Sequence, residues 1–217
     1  TAAGGLKHAG VVKLLKKSFG ALKGKEAKKP LPAPVPEPGV KLFKKDLEQV
    51  HMCIGVPVPP QSDPERYKIY LMNTILGGGM SSRLFQQVRE KRGLAYSVYT
   101  YVNLCRDTGS LIAYAGTSEA SFGEVTGLIL KEFEKFRKGV TAEELKNAKE
   151  QLKGGMLLGM ETSDSRMMKL ARDEMYFGRH IPVKEIVKGI DKVTLREMKE
   201  AATRYLVPGS ITMTAMG

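Results

Sequence analysis

Five prolines alternate along the chain at Pro30, Pro32, Pro34, Pro36 and Pro38. Proline lacks a backbone N–H donor and fixes φ, so this spacing disfavours helix and the interior of a sheet. It favours an extended, semi-rigid polyproline-like strut of about 3 Å per residue. We therefore predict that residues 21–39 form a Pro- and Lys-rich inter-domain linker. This linker separates a short amino-terminal segment, residues 1–20, from a carboxy-terminal domain of residues 40–217.

Size and hydropathy indicate a folded chain outside the membrane. The 217 residues are 42% hydrophobic, which is enough for a substantial core. No apolar run approaches the roughly 20 residues of a membrane span, so we expect no membrane insertion. Residues 1–10 lack a basic stretch followed by an apolar one, so no secretory signal is predicted there and a cytoplasmic location is favoured. Cys53 and Cys105 are too few for a disulfide framework and are expected to be free thiols.

The formal net charge of +12 is compatible with nucleic acid, anionic membrane or any acidic partner, because each is attracted by the same long-range field. The lysines are spread along the chain in short clusters. The aromatic-interleaved basic motif typical of an RNA-binding sheet is missing from the sequence. Nucleic-acid binding is therefore the less favoured interpretation.

The hydrophobic periodicity predicts an α+β fold. Alternation of apolar and polar residues predicts strands at residues 40–45, 49–58, 96–104, 109–116 and 210–216. Helical spacing predicts helices at residues 9–19, after Asp63, at residues 82–92 with Gly93 as a left-handed cap, and through most of residues 122–206. Strands and helices segregated in this way indicate a mainly antiparallel sheet covered by helices on one face.

Histidine placement argues against a metal site in this chain. His8, His51 and His180 are the only histidines, and no two lie within one helical turn of each other. Neither H-E-x-x-H nor its inverted form H-x-x-E-H occurs, whereas a hydrolytic zinc needs three protein ligands held together. We predict no metal or cofactor in this chain and assign no role to His51 or His180.

Arg89 and Tyr96 are the first candidates for a binding role. Arg89 falls in the last turn of its predicted helix, and Tyr96 opens the next predicted strand, so both can project from one edge of the sheet. A guanidinium and a phenol together can hydrogen-bond a substrate carbonyl and stabilise an oxyanion. The purely structural alternative stays open, because arginine in a final turn complements the helix dipole and tyrosine is common in strands.

Gly77, Gly78 and Gly79 form the second candidate feature. Glycine-rich backbone at a helix start can bind an anion. However, the lysine and spacing of a Walker motif are missing, and the triplet follows a helix rather than a strand. From the residues alone, a flexible turn between two helices is the better interpretation.

Residues 77–98, G-G-G-M-S-S-R-L-F-Q-Q-V-R-E-K-R-G-L-A-Y-S-V, closely resemble the carboxy-terminal domain of pitrilysin-type (insulinase-type) zinc peptidases, which include mitochondrial processing peptidases and bacterial processing proteases. The similarity extends over the order of elements in residues 40–217. Residues 1–20 resemble the end of the preceding homologous domain. In this family two lobes of the same fold close over an extended peptide, and the zinc ligands lie in the other lobe.

The resemblance implies a non-catalytic, substrate-binding half of a zinc metalloendopeptidase that is inactive alone. Arg89 and Tyr96 match the arginine and tyrosine that the family's second lobe presents to a substrate carbonyl, and Gly77, Gly78 and Gly79 match a substrate-facing glycine loop. The implied partners are a zinc-bearing amino-terminal lobe or subunit, which holds the zinc, and a peptide substrate. An exposed lobe face also makes a homo-oligomer conceivable. The alternative is an inactive scaffolding lobe, like the inactive family members of respiratory complexes.

Overall fold

The computed structural model describes residues 1–24 and 32–217. The predicted linker therefore lies partly outside the described residues, and residues 32–38 form no helix or strand. The described chain divides into two compact units, a larger one of Pro34–Gly154 and Pro182–Gly217 and a smaller one of Thr1–Ala33 and Gly155–Ile181. The domain boundaries predicted from the sequence stay a prediction.

A mixed, mostly antiparallel sheet forms one layer of the larger unit. Its five described strands are β1 (Gly39–Phe43), β2 (Val50–Val58), β3 (Ala95–Leu104), β4 (Gly109–Thr117) and β5 (Thr212–Met216). Their order across the sheet is β1-β5-β2-β4-β3. Only β1 and β5 pair in parallel, whereas β2 is antiparallel to both β4 and β5, and β3 is antiparallel to β4. The strands predicted at residues 96–104 and 109–116 therefore form an antiparallel hairpin.

The helices follow the predicted segregation. They are α1 (His8–Phe19), α2 (Arg66–Gly77), a π-helix (Phe85–Glu90), α3 (Phe122–Lys138), α4 (Ala142–Gly159), α5 (Ser163–Phe177), α6 (Val183–Lys192) and α7 (Leu195–Tyr205). Glu119–Ser121 and Pro208–Ser210 are short 3₁₀ turns. The carboxylates of Glu144 and Glu197 accept hydrogen bonds from the backbone N–H groups of Thr141 and Thr194, so α4 and α7 each begin with a capping box. Gly93 has φ 62°, as its predicted left-handed cap requires.

The core of the larger unit lies between one face of the sheet and the helices. Along β2 the side chains of Met52, Ile54 and Val56 are buried, and the intervening ones are not, as the period of two requires. They pack in one hydrophobic cluster with residues of α2, α3 and α7, including Leu76 and Phe133. The opposite sheet face, which carries Cys53, Tyr114 and Tyr99, is called the open face below. The α+β fold predicted from the sequence is confirmed.

The smaller unit contains α1, the end of α4, and α5. None of the α1 residues is buried. Asp173 on α5 is buried and accepts hydrogen bonds from Lys169 Nζ at 2.5 Å and from the Ile181 N–H at 2.9 Å. This carboxylate ties the loop after α5 to the helix, so its charge is satisfied inside the unit.

Candidate functional site

Arg89 lies in a π-helix rather than in the ordinary α-helix that the spacing of residues 82–92 predicts. The N–H of Lys91 donates to the Gln86 carbonyl at 3.0 Å, five residues back, which is the hydrogen bond that defines a π-turn. The predicted helix is therefore present, and its centre is a π-helix. Such wide turns are frequently found at functional sites because the extra residue re-aims the side chains around it.

The guanidinium of Arg89 lies between two aromatic rings. Its Cζ is 4.8 Å from the ring centroid of Phe85 and 4.7 Å from that of Tyr96. Nη1 donates to the backbone carbonyl of Tyr96 at 2.9 Å. The nearest carboxylate oxygen, on Glu90, is 3.9 Å from Nε in a solvent-exposed pair that contributes little. Stacking and one backbone hydrogen bond thus fix the orientation of this cation at the surface.

Tyr96 occupies a β-bulge at the start of β3. Ala95 pairs with Thr117 and Ser97 pairs with Gly116, so Tyr96 is the extra residue that the described register leaves unpaired. A bulge turns a side chain away from the regular alternation of the strand, and bulges are over-represented beside active sites. The side chain is largely exposed, with 76% of the residue accessible. The phenol therefore projects from the sheet edge with its hydroxyl available.

Close packing explains the first glycine of the triplet. Gly77 is the last residue of α2, and a Cβ atom there would lie 2.3 Å from the backbone nitrogen of Thr100. Only glycine lets the end of α2 approach β3 this closely. Gly79 lies beside Gln151, whose Nε2 donates to the Gly78 carbonyl at 3.0 Å. None of the three glycines has a positive φ, so close packing and not a left-handed backbone explains the triplet.

One cleft brings all five predicted residues together. It has a volume of about 470 Å³ and is lined by the three glycines, Arg89, Tyr96 and part of β3. Among the described strands, β3 pairs with β4 alone and so forms the edge of the sheet beside this cleft. An extended chain with unpaired backbone groups can be bound at such an edge. The role of each predicted residue stays a prediction.

Besides the β3 segment from Ser97 to Thr100, the sequence interpretation missed Asn73, Met80 and Phe85 of the cleft. The spacing of Phe85 four residues before Arg89 is a signal that could have found it, because such residues meet on a helix. Asn73 gives no comparable signal. Its Oδ1 is buried and has no hydrogen-bond partner in the described part of the chain, which sets it apart from nearly all buried polar atoms.

His51 and His180 are not among the residues that line this cleft. His51 is exposed on the open face, where its Nδ1 is 2.7 Å from the hydroxyl of Tyr114. His180 Nδ1 lies 3.1 Å from the carboxylate of Asp173. Across residues 1–24 and 32–217, the structure holds no group of three or more His, Cys, Asp or Glu side chains that could bind a metal ion. These residues do not fit a zinc centre.

Within the described ranges, every helix is too short or too polar to cross a bilayer.

Similarity to known proteins indicates the family of this chain. Residues 1–152 match the family model described as the peptidase M16 inactive domain. An uncharacterized zinc protease of Mycobacterium tuberculosis is 37% identical over 211 residues, which cover 94% of this chain and 48% of the relative. The chain thus spans about half the length of the curated relatives it matches.

Solved structures show the same fold. The peptidase M16 inactive domain from Pseudomonas fluorescens superposes with a TM-score of 0.86 at 22% identity, over 98% of this chain and 52% of that one. A chain of complex III2 from Candida albicans gives a TM-score of 0.83 at 20% identity, over 98% of this chain and 53% of that one. Together with the family match, these findings confirm the resemblance seen in residues 77–98. The chain belongs to the M16 family of zinc peptidases and corresponds to its inactive domain.

Proposed function

We propose that this chain is the peptide-holding half of a zinc metalloendopeptidase, inactive alone and completed by a zinc-bearing half. The observation that carries the proposal is the cleft at the β3 edge, where Arg89 and Tyr96 lie side by side. The hydroxyl of Tyr96 is a hydrogen-bond donor, and 76% of the residue is exposed. The Arg89 cation lies against the Tyr96 ring, which suits the recognition of a peptide carbonyl.

The chemistry of the chain supports a binding role, and its described residues hold no three-ligand metal group. A donor pair fixed by a π-turn and a bulge needs little reorganisation when a carbonyl oxygen gains negative charge. Arg89 and Tyr96 would orient the peptide and hold that oxygen, and the metal chemistry would come from the other half. The match to about half of each zinc-protease relative supports a separate zinc-bearing half as the partner.

A scaffolding lobe is the second candidate, and one observation favours it. Arg89 Nη1 is already engaged with the Tyr96 backbone carbonyl, and its guanidinium is stacked on both sides. A cation used in this way can be purely structural. The fold is also shared with a chain of complex III2, which is consistent with a role in assembly. The two candidates differ in whether removing the Tyr96 hydroxyl changes peptide turnover.

Reconstitution tests the proposal. This chain is mixed, with added zinc, with the part of its Mycobacterium tuberculosis relative that it does not match, and peptide hydrolysis is measured for each component and for the mixture. The positive control is the same part mixed with its own matching segment. We expect turnover in the mixture and none from this chain alone. Turnover by this chain alone, or an inactive mixture beside an active control, would refute the proposal.

A further inference from the structure

The open face of the sheet carries a second, apolar pocket. It has a volume of about 330 Å³ and lies toward the end of the sheet opposite Tyr96. Cys53, Gly55 and Pro57 of β2 line it, together with Ile112 of β4. The register pairs Gly55 with Ile112 and Ile112 with Tyr101, and the pocket lies over this transverse row and the rows beside it.

The pocket suits an uncharged side chain. None of the described residues that line it is charged, in a chain whose net charge is +12. The missing side chain at Gly55 leaves space at the base of the pocket. A Cβ atom there would lie only 3.2 Å from Cγ1 of Ile112. A partly open, largely apolar pocket without a counter-charge disfavours a carboxylate or an ammonium group. An aromatic or branched aliphatic side chain fits this chemistry.

A row of tyrosines connects this pocket with the candidate cleft. Tyr99 and Tyr114 pair across β3 and β4, and their ring centroids are 4.9 Å apart. Tyr101, one row nearer the pocket, has its ring centroid 6.2 Å from that of Tyr99. Tyr96 precedes Tyr101 by five residues, which is about 16 Å of strand. An extended peptide of about five residues spans the same distance.

We propose that this pocket is a side-chain subsite that selects an aromatic or branched aliphatic residue of the peptide, about five residues from the bond held at Tyr96. The inference rests on the proposed peptide-holding function. The uncharged rings of Tyr99 and Tyr101 form the path between the two sites. Selection by this chain then depends on one apolar residue remote from the reacting bond.

Thiol protection tests the subsite without any peptidase activity. Cys53 and Cys105 both line the pocket and are half-buried free thiols. The 217-residue chain is treated with iodoacetamide, with and without a capped Gly/Ser/Thr dodecapeptide that carries one Phe, and alkylation at each cysteine is read by mass spectrometry. Peptides with Asp or Lys in place of Phe are the controls. We expect the Phe peptide to bind about tenfold tighter than either and to slow alkylation of Cys53 accordingly.

Substitutions give an independent measurement of the same claim. Ile112→Asp places a charge in the pocket and should remove the preference for Phe, whereas His51→Asp adds the same charge to the open face outside the pocket and should keep it. Protection of Cys53 in the unaltered chain decides the question if Ile112→Asp fails to fold.

The outcomes separate the two proposals. Peptide binding that is weakened by Arg89→Ala but leaves Cys53 equally reactive would overturn the subsite and leave the proposed function standing. Equal protection by the Phe and Asp peptides would also overturn it. Peptides that fail to bind at all would remove the proposed function and the subsite together. If the Phe peptide still protects Cys53 in Arg89→Ala, the subsite is supported. The same result would count against the proposed role of Arg89 in holding the peptide.

Discussion

The guanidinium of Arg89 stacks on the ring of Tyr96 with 4.7 Å between Cζ and the ring centroid, and its Nη1 donates to the backbone carbonyl of the same tyrosine at 2.9 Å. Two residues seven positions apart are thus oriented by each other. Neither contact uses the Tyr96 hydroxyl, which leaves that group as the part of the pair available to a ligand.

Arg89→Ala should change the stability of the chain only slightly and peptide turnover strongly. The guanidinium is partly exposed and its stacking is of the weaker, solvated kind, so we expect the free energy of unfolding to fall by only about 1 kcal/mol. Peptide turnover in the reconstituted enzyme should fall by tenfold or more. Denaturant unfolding and turnover are measured on the same sample. A large loss of stability with unchanged turnover would show that Arg89 is structural.

Gly77→Ala should be strongly destabilising. The new Cβ would lie 2.3 Å from the Thr100 backbone nitrogen, so α2 and β3 must separate, at a cost of about 1–3 kcal/mol or more. Thermal unfolding measures the effect. The matched control is Gly154→Ala in α4, which has no heavy atom within 4 Å of the added Cβ. It should be neutral or stabilising by roughly 0.5–1 kcal/mol. Equal tolerance of both substitutions would refute the close approach at Gly77.

Glu144 should hold the segment that leads into the π-helix. Its carboxylate binds Arg83 through both oxygens, at 2.6 and 2.9 Å, and caps α4 at Thr141. Glu144→Ala should lower the free energy of unfolding by about 2 kcal/mol, whereas Glu134→Ala, which breaks an exposed pair with Lys138, should have little effect. Urea unfolding compares the two variants.

Acidification should lower the stability of the fold through the Glu144 carboxylate. The hydrogen bond from Arg83 lowers the pKa of Glu144 below its ordinary value of 4.5. Its contribution to stability is therefore present above that value and lost as the pH falls through the folded pKa. The stability difference between the wild type and Glu144→Ala should shrink with acidification. A difference that stays constant down to low pH would contradict this assignment.

Tyr205 should control stability at alkaline pH. Burial, together with a hydrogen bond to the Glu65 carboxylate, raises the pKa of Tyr205 from 10.0 to about 12. The folded state thus keeps this proton longer than the unfolded state, so stability is fully present below pH 10 and declines as the pH rises toward 12. Tyr205→Phe should flatten that decline in unfolding measurements. An unchanged alkaline slope would assign the decline to other groups.

The fold was largely predictable because it depends on local patterns. The alternation along β2, the capping boxes at Thr141 and Thr194, and the left-handed Gly93 are each encoded within a few residues. The bulge at Tyr96 was not predictable in this way. It is one inserted residue that lets both Ala95 and Val98 face the core, and only pairing with β4 reveals it.

The geometry of the site could be predicted from the sequence less well than the residues that form it. The family resemblance selected Arg89, Tyr96 and the glycines, but the π-turn depends on packing that no local spacing specifies. The need for Gly77 depends on Thr100, 23 residues later, and so on tertiary structure. The apolar pocket of the open face likewise depends on four strands, β5, β2, β4 and β3, that lie side by side in the sheet.

Tyr96→Phe in the reconstituted enzyme tests the central claim most directly. The substitution keeps the ring under Arg89 and the backbone acceptor, and it removes only the hydroxyl. If this chain holds the reacting carbonyl, kcat/KM for peptide hydrolysis should fall by about 100-fold while the melting temperature stays unchanged. Full turnover in Tyr96→Phe would contradict the proposal that Tyr96 holds the reacting carbonyl. The chain would then be a scaffolding lobe.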